Sequence, residues 1–286
     1  MELSFGVIGG DQRQRCLAEL LQQDGHRVSA WGLPEGGKVP VTGLEKVLTA
    51  EVVILPLPVT GPGGVLNAPF ARREIRIPEL LDSLSSQQII CAGQVPESVH
   101  QSAGRRGLVL EDYFAREELA VGNAVPTAEG AIAIAMERLP ETLAGQRCLV
   151  LGFGRIGKLL ARRLQGLGAR VTASARKPED LAWIRACGYD ALPIKNLTGA
   201  LGEYRLIFNT APALLLDREL LGQLRADCLC IDLASSPGGI DYEAAEQLQI
   251  QTVWARNLPG KAAPLTAGMI IRDTIYHILE ERGVWQ

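Results

Sequence analysis

The chain has 286 residues, with 29 basic and 32 acidic side chains and a net charge of −3. This balance argues against nucleic acid or an anionic membrane surface as its main partner. The length allows about two domains of ordinary size. The first residues begin a strand with no basic region before it, and no apolar run approaches the roughly 20 residues of a membrane span. We therefore expect a soluble, cytoplasmic protein.

The six cysteines give no sign of a metal site. They show neither a Cys-x-x-Cys pair nor a Cys/His spacing suited to zinc. Cys228 and Cys230 fall on one face of a predicted strand, where they are expected to pack as small apolar residues. We expect no bound metal.

The first half of the chain alternates predicted strands and helices. It opens with a glycine-punctuated strand, 5–8, and a helical pattern that ends at Gly25. Further strands are predicted at 27–31, 51–55, 88–91 and 107–110, with helices at 78–84 and 96–105. This alternation predicts a doubly wound parallel sheet. Because this half lacks a Gly-x-Gly-x-x-Gly motif, we interpret residues 1–122 as a substrate-binding, catalytic domain.

The second half repeats this pattern and predicts a Rossmann domain over residues 145–265. Its strands are predicted at 147–151, 170–174, 205–208, 228–233 and 250–253. A helix that starts at Pro126, with small residues Ala128, Ala131 and Ala135 on one face, is assigned to an interdomain segment, 123–144. A last helix within 266–286 is expected to pack back on the first domain. The predicted fold class is α/β, with two doubly wound parallel-sheet domains.

A glycine motif after the strand 147–151 predicts a dinucleotide site. Gly152, Gly154 and Gly157 follow the strand directly, and a helical pattern comes next. The first glycine allows a tight turn, the second lets a pyrophosphate approach the backbone, and the third lets helix and strand pack closely. N–H groups at the helix start then face the phosphates. The alternative is a glycine-rich turn in an ordinary sheet. The candidate cofactor-binding residues are Gly152, Phe153, Gly154, Arg155, Ile156 and Gly157.

The end of the next strand indicates which dinucleotide binds. An NAD site usually carries Asp or Glu about 20 residues beyond the first glycine, where it holds the ribose 2′-hydroxyl. Here the sequence offers Ser174, Arg176 and Lys177, with no acid before Glu179. A hydroxyl and two cations suit a 2′-phosphate, which arginine can bind through two parallel hydrogen bonds. We therefore predict NADP as the cofactor, with a solvated basic turn as the alternative.

Polar residues gather where three later strands are predicted to end. These segments, 209–212, 232–239 and 258–268, contain hydroxyls, glycines and Lys261. Because loops at the carboxyl ends of parallel strands line the ligand crevice, they predict a cleft suited to an anionic ligand. Asn209, Thr210 and Ala211 are assigned to the cofactor. The alternative is a set of ordinary turns, in which such residues are common.

No residue is assigned as the catalytic acid or base. Histidine is the most frequent choice for this role, but none of His26, His100 and His277 lies at the carboxyl end of a strand in the predicted cofactor domain. The Arg, Glu and His trio of 2-hydroxy-acid dehydrogenases is therefore not apparent. In the first domain, Arg13 is expected in the first turn of a helix, where it could hold a carboxylate; a solvated arginine is the alternative.

Five motifs, in order along the chain, resemble those of the dipicolinate synthase A-subunit family of spore-forming bacteria. Together they span nearly the whole sequence. One departure is Lys261, where an aliphatic residue is expected. The motifs are Ile8-Gly9-Gly10-Asp11-x-Arg13-Gln14, Asn123-Ala-Val-Pro126-Thr127-Ala-Glu129-Gly130, Leu151-Gly-Phe-Gly-Arg155-Ile-Gly157, Asp232-Leu-Ala-Ser235-Ser-Pro-Gly-Gly239 and Leu258-Pro-Gly-Lys-Ala-Ala-Pro264-Leu-Thr266-Ala-Gly268.

The resemblance implies NADP-dependent oxidation of dihydrodipicolinate to dipicolinate, in the mother cell during sporulation, together with a flavoprotein-like B-subunit. Two ring carboxylates need two anion-holding groups, and Thr127 and Thr266 mark predicted helix starts. A homo-oligomer is also expected. The alternatives are another two-domain NADP-dependent oxidoreductase of a small carboxylic acid, or a non-catalytic, cofactor-binding regulatory protein. The candidate substrate-binding residues are Arg13, Thr127, Ser235, Ser236 and Thr266.

Overall fold

The computed structural model describes residues 2–284 and divides the chain into two compact units. Unit 1 combines the chain up to Asn123 with the segment from Ala263 on, and unit 2 is the continuous segment Ala124–Ala262. Each unit contains one parallel sheet covered by helices, so the predicted fold class is confirmed. Residues 285 and 286 of the predicted last helix lie outside the described residues.

Unit 1 is built on a five-stranded sheet in the order β2-β1-β3-β4-β5, in which every neighbouring pair is parallel. The central strands are apolar on both faces, as expected for parallel strands covered from both sides. The strands are β1 (Ser4–Ile8), β2 (Arg27–Trp31), β3 (Val52–Ile54), β4 (Ile89–Ala92) and β5 (Val109–Asp112).

Two layers of helices cover this sheet. Helices α1 (Gln12–Gln23) and α11 (Pro264–Glu281) pack on the face that carries Phe5 and Ile54. Helices α2 (Leu44–Val47), α3 (Ile77–Asp82) and α4 (Glu97–Arg105) pack on the face that carries Ile8 and Val53. The last helix of the sequence therefore completes the core of the first unit.

Helices α1 and α11 run parallel and pack closely. A Cβ atom on Gly268, near the start of α11, would lie 3.0 Å from the carbonyl oxygen of Arg13, near the start of α1. At the other end, the Tyr276 hydroxyl donates to Asp24 Oδ2 over 2.8 Å. Since α1 follows β1 directly, both helices start at the carboxyl edge of the unit 1 sheet.

His26 makes the stability of unit 1 depend on pH. The ring is buried between Phe5 and Tyr276 and accepts the Leu3 N–H at Nδ1. Burial lowers the pKa of His26 below its ordinary value of 6.5. As the pH falls, His26 is therefore protonated more readily in the unfolded chain than in the folded chain, and this difference destabilises the fold. Between pH 7.5 and 5.5 we expect the free energy of unfolding to fall by at most about 1.4 kcal/mol from this source.

Chemical denaturation at the two pH values measures this effect. His26→Gln keeps a hydrogen-bond acceptor and cannot titrate, so this variant should be less stable at pH 7.5 yet lose less stability at pH 5.5. Equal pH dependence in the variant and the wild type would show that His26 is not the responsible group.

Unit 2 contains a six-stranded parallel sheet in the order β11-β10-β9-β6-β7-β8. Strand order reverses between β6 and β9, which is where dinucleotides bind in sheets of this topology. The strands are β6 (Arg147–Leu151), β7 (Arg170–Ala175), β8 (Asp190–Pro193), β9 (Leu206–Asn209), β10 (Leu229–Asp232) and β11 (Gln251–Trp254).

The helices of unit 2 connect these strands and cover both faces of the sheet. Strand β8 was not predicted from the sequence, whereas the other five strands lie within one or two residues of their predicted ranges. The helices are α5 (Glu117–Arg138), whose first residues belong to unit 1, α6 (Arg155–Gly166), α7 (Pro178–Ala186), α8 (Arg218–Leu221), α9 (Tyr242–Gln247) and α10 (Leu258–Ala262).

Helix α5 corrects one sequence-based expectation. It begins at Glu117, and Pro126 lies inside it, so the predicted helix start at Pro126 and Thr127 is wrong.

Among residues 2–284, α5 is also the one helix whose length and composition would allow a membrane span, with a mean hydropathy of 1.3 over its most apolar window. Half of that window is buried inside the protein, as in the core helix of a globular fold, so this is weak evidence for a span.

Candidate active site

The glycine-rich loop of unit 2 is shaped by two tight backbone contacts. Gly152 has a φ of +96°, and a Cβ there would lie 2.5 Å from Thr210 Oγ1. A Cβ on Gly157 would lie 2.2 Å from the carbonyl oxygen of Gly152. Side chains are therefore excluded at both positions by the fold itself, as the predicted turn and close helix packing require.

Gly154 differs from its two neighbours because nothing lies within 4 Å of the position of its Cβ. It caps helix α6 without a side-chain hydrogen bond to the helix N–H groups. The open space above this residue and the start of a 12-residue helix fit the pyrophosphate of a dinucleotide, which needs close approach to the backbone and free N–H donors. The residues present thus fit the cofactor that the motif predicts.

The side chains between the glycines divide into buried and accessible ones. Phe153 is buried against Tyr189, with a ring-centroid distance of 6.1 Å, so only its backbone is available to a ligand. Arg155 is exposed in the first turn of α6, and Ile156 is half-buried. Phe153 therefore anchors the loop in the core of unit 2.

The end of strand β7 carries the residues predicted to choose between NAD and NADP. Ala175 closes the strand where an acidic residue would favour NAD. The Arg176 side chain is exposed and forms no hydrogen bond or ion pair with residues 2–284. Lys177 is also exposed, and its Nζ lies 3.9 Å from Glu179 Oε1. Both cations are therefore accessible to a phosphate.

Ser174 does not share this accessibility. Its side chain is fully buried, and its hydroxyl has no hydrogen-bond partner among the described residues. The hydroxyl lies beneath the strand end and not on the surface that a ribose phosphate would contact. This corrects the role expected of Ser174, and leaves the two cations as the groups able to hold a phosphate.

A buried carboxylate organises the loops that follow β9 and β10. Asp232 accepts hydrogen bonds from the Asn209 side chain at 2.8 Å, the Tyr242 hydroxyl at 2.8 Å, and the backbone N–H groups of Ala234 at 3.0 Å and Gly239 at 2.7 Å. Both Asp232 and Asn209 are fully buried. A carboxylate has just enough lone-pair sites for these four donors, so it fixes both loops in one arrangement.

Replacement of Asp232 is expected to destabilise unit 2. Asp232→Ala leaves buried donors without partners, each at a cost of about 1–3 kcal/mol, so a loss of roughly 3 kcal/mol or more in the free energy of unfolding is expected. Tyr242→Phe removes a single hydrogen bond and should cost about 1 kcal/mol. Denaturant unfolding of both variants measures the difference; losses of equal size would show that the carboxylate does not organise the network.

Asn209, Thr210 and Ala211 shape the loop after β9. The Asn209 amide donates to the Ala211 carbonyl at 3.0 Å, and Thr210 Oγ1 donates to the Leu151 carbonyl at 2.9 Å. The polar side chains predicted to touch the cofactor are thus engaged within the protein, so any contact from this loop comes from its outer surface. The hydrogen bonds of Asp232 to Asn209 and Tyr242 hold this loop in place. This role of Asp232 and Tyr242 was not predicted from the sequence, in which only the position of Asp232 at a strand end pointed to it.

Two of the predicted substrate-binding residues lie exposed at the carboxyl edge of the unit 2 sheet. Ser235 and Ser236 follow β10, and their hydroxyls make no hydrogen bond with the described part of the chain. Thr127, in contrast, lies inside α5, ten residues after Glu117. It therefore cannot offer the free N–H groups of a helix start, and its assignment on that ground is corrected.

The remaining two candidates belong to unit 1. Arg13 is buried and forms a two-pronged ion pair with Asp11, with Nη2 at 2.8 Å from Oδ2 and Nε at 2.9 Å from Oδ1. Its Nη2 also donates to the Leu57 carbonyl over 2.7 Å. Arg13 thus ties the β1–α1 loop to the segment after β3, and its charge is balanced by Asp11. Thr266 is exposed in the first turn of α11.

None of the described residues forms a group suited to holding a metal ion. All six cysteines are free, and four of them are buried. The packing of Cys228 and Cys230 in the apolar core of unit 2 agrees with the expected structural role.

Comparison with known proteins identifies the family. Residues 4–114 match the model of the N-terminal domain of the dipicolinate synthase A-subunit. The dipicolinate synthase A-subunit of Bacillus subtilis (strain 168) is 32% identical over 290 residues, covering 98% of this chain and 96% of that protein. The chain belongs to the dipicolinate synthase A-subunit family. The resemblance seen in the five motifs is thereby confirmed.

Solved structures support the same relationship. The dipicolinate synthase A-subunit from Bacillus halodurans is 30% identical, with a TM-score of 0.88 and 97% coverage of both chains. Its counterpart from B. subtilis is also 30% identical, with a TM-score of 0.86, covering 98% of this chain and 96% of that one. The architecture of both units is therefore that of the family.

A second family model accounts for unit 2. Residues 126–230 match the NAD-binding domain of D-isomer-specific 2-hydroxyacid dehydrogenases. Unit 2 is thus a nicotinamide-dinucleotide-binding domain of the dehydrogenase type, and this member of the dipicolinate synthase A-subunit family is a dehydrogenase-like protein with an oxidoreductase fold. The glycine loop around Gly154 lies within this match.

Proposed function

We propose that the chain oxidises dihydrodipicolinate to dipicolinate with NADP as the hydride acceptor. The relationship to the dipicolinate synthase A-subunit over 98% of the chain is the observation that carries this proposal. The dehydrogenase-type domain of unit 2 supplies a site of the required kind. The products of each turnover are dipicolinate, NADPH and a proton.

The choice of NADP rests on the end of β7. Ala175 provides no carboxylate for a ribose 2′-hydroxyl, and the accessible cations Arg176 and Lys177 follow directly. A phosphate held by a guanidinium gains two parallel, charge-assisted hydrogen bonds. Arg176 is exposed and forms no ion pair with residues 2–284, so none of those contacts has to be broken for it to bind a phosphate.

The protein's own task in this reaction is to hold a cyclic dicarboxylate against the cofactor. Bound NADP would accept the hydride from the ring, and formation of the aromatic ring favours the reaction. Positioning can therefore supply much of the rate enhancement. The exposed hydroxyls of Ser235 and Ser236 are the proposed substrate contacts of unit 2. The described residues show no histidine at the carboxyl edge of the unit 2 sheet.

The cellular setting is proposed by relationship. The B. subtilis relative is named as the A-subunit of a synthase, and we infer that this chain likewise acts with a B-subunit of the flavoprotein-like kind. We further propose that it forms a homo-oligomer and works in the cytoplasm of the mother cell during sporulation.

An activity assay tests the proposed function directly. The purified chain is given dihydrodipicolinate with NADP or NAD, in the presence and absence of a B-subunit, and formation of reduced cofactor and dipicolinate is measured. Dipicolinate-forming activity that prefers NADP supports the proposal. Reduced-cofactor formation with other small carboxylic acids only would indicate a different oxidoreductase, and cofactor binding without turnover in either setting would indicate a regulatory protein.

A further inference from the structure

Arg256, which no sequence motif singles out, holds an unpaired guanidinium at the carboxyl end of β11. Its guanidinium carbon lies 4.3 Å from the ring centroid of Trp254. The side chain is exposed and makes no hydrogen bond or ion pair with residues 2–284. Stacking on an aromatic face restricts a guanidinium without using its N–H groups, so its donors stay available to a ligand.

The aromatic platform under Arg256 is itself anchored to the loop after β10. Trp254 Nε1 donates to the Ala234 carbonyl over 3.0 Å, and the indole stacks on the Tyr242 ring at 5.3 Å. The Tyr242 hydroxyl in turn donates to the buried Asp232. Arg256 is therefore held beside the segment that carries Ser235, by contacts that end in a fully buried carboxylate of unit 2.

The sheet order places this arginine beyond the nicotinamide end of the cofactor. Arg176 follows β7 and Arg256 follows β11, and four strand spacings, about 19 Å, separate these strands. A dinucleotide lies across the reversal point with its ribose-phosphate end on the β7 side and its other half over the strands after the reversal. The two unpaired guanidinium groups therefore lie on opposite sides of the cofactor site.

We infer that Arg256 binds a carboxylate of the substrate, with the hydroxyls of Ser235 and Ser236 beside it. This inference rests on the proposed function and adds the residue of unit 2 that recognises a dicarboxylate. A planar guanidinium suits a carboxylate, since the two groups can lie in one plane and form two parallel hydrogen bonds. Arg13 cannot fill this role in unit 2 because it belongs to unit 1 and is paired with Asp11.

Calorimetric titration tests this assignment without relying on turnover. The full chain, saturated with NADPH, is titrated with pyridine-2,6-dicarboxylate and with pyridine-2-carboxylate. For Arg256→Ala we expect the Kd of the dicarboxylate to rise about 10- to 100-fold. The Kd of the monocarboxylate divided by that of the dicarboxylate should fall towards one. With Arg256 removed, a single anion-binding group remains, so the second carboxylate no longer adds affinity. Trp254→Leu, which removes the platform, should raise the Kd several-fold, and Trp254→Phe should raise it less.

Two controls separate binding from folding. Arg185→Ala removes an exposed arginine at the far end of α7 and should leave both Kd values unchanged. NADPH affinity should be the same in all variants. If Arg256→Ala also weakens NADPH binding, Arg256→Gln repeats the test with a planar, uncharged end.

The outcomes distinguish this inference from the proposed function. Wild-type affinity for the dicarboxylate in Arg256→Ala and Arg256→Gln overturns the assignment of Arg256 alone. A wild-type protein that binds neither pyridine ligand and does not oxidise dihydrodipicolinate overturns both the assignment and the proposed function.

Discussion

Replacement of Gly154 with alanine is expected to leave the protein folded and to weaken binding of the dinucleotide about 100-fold. The backbone at this position has a φ of −80°, which alanine adopts readily, and a new Cβ would meet no protein atom within 4 Å. The methyl group would instead occupy the space through which a pyrophosphate approaches. A loss of this size corresponds to about 2.7 kcal/mol of binding energy.

Gly157→Ala provides the matched comparison. Here the new Cβ would lie 2.2 Å from a backbone oxygen, and forced shifts of this kind typically cost about 1–3 kcal/mol of stability. Thermal unfolding and fluorescence titration with NADPH, applied to both variants, measure the two effects separately. Normal NADPH affinity in Gly154→Ala would mean that the pyrophosphate does not approach the loop at this residue.

Replacement of Arg176 with alanine is expected to remove the preference for NADP. Its guanidinium is accessible and unpaired in the described structure, so its only foreseen partner is the 2′-phosphate. Loss of a charge-assisted, two-pronged contact should raise the Kd of NADP about 10- to 100-fold, while the Kd of NAD stays nearly the same. Arg176→Asp should reverse the preference, since a carboxylate repels the phosphate and can hold the 2′-hydroxyl.

Arg162→Ala is the control for this experiment. Arg162 is an exposed arginine within α6, and its removal changes the net charge equally without touching the end of β7. Titration of each variant with NADP and NAD at one ionic strength gives the comparison. If the Kd values of NADP and NAD rise equally in Arg176→Ala, Arg176 affects protein stability or general electrostatic attraction, and it does not select the cofactor.

The strands and the glycine loop could be predicted because their signals are local. Apolar runs bounded by glycine and proline fix the strand positions, and the spacing of Gly152, Gly154 and Gly157 has a direct geometric meaning. Strand β8 escaped notice because four residues containing Asp190 and Pro193 resemble a turn. Pro126 misled the helix assignment, since proline favours a helix start but here lies within α5.

The substrate side of the site depends on contacts between residues far apart in the sequence. Arg13 was expected to be free for a ligand, yet Asp11 and the Leu57 carbonyl occupy it. Ser174 was expected to be accessible and is buried. The role proposed for Arg256 rests on its stacking on Trp254, which local sequence does not encode. Burial and stacking of single side chains are tertiary properties, which periodicity and motif spacing do not report.

The packing of α11 against α1 sets an order for events during synthesis of the chain on the ribosome. The apolar face of α1, which includes Leu17 and Leu21, is covered by Ile271 and Ile275 of α11, and the whole of unit 2 is translated in between. At roughly 5–20 residues per second, this delay is on the order of 10 s. During that time the nascent first sheet lacks one of its covering helices. The continuous unit 2 can therefore complete its fold before unit 1 does, although most of unit 1 is synthesised first.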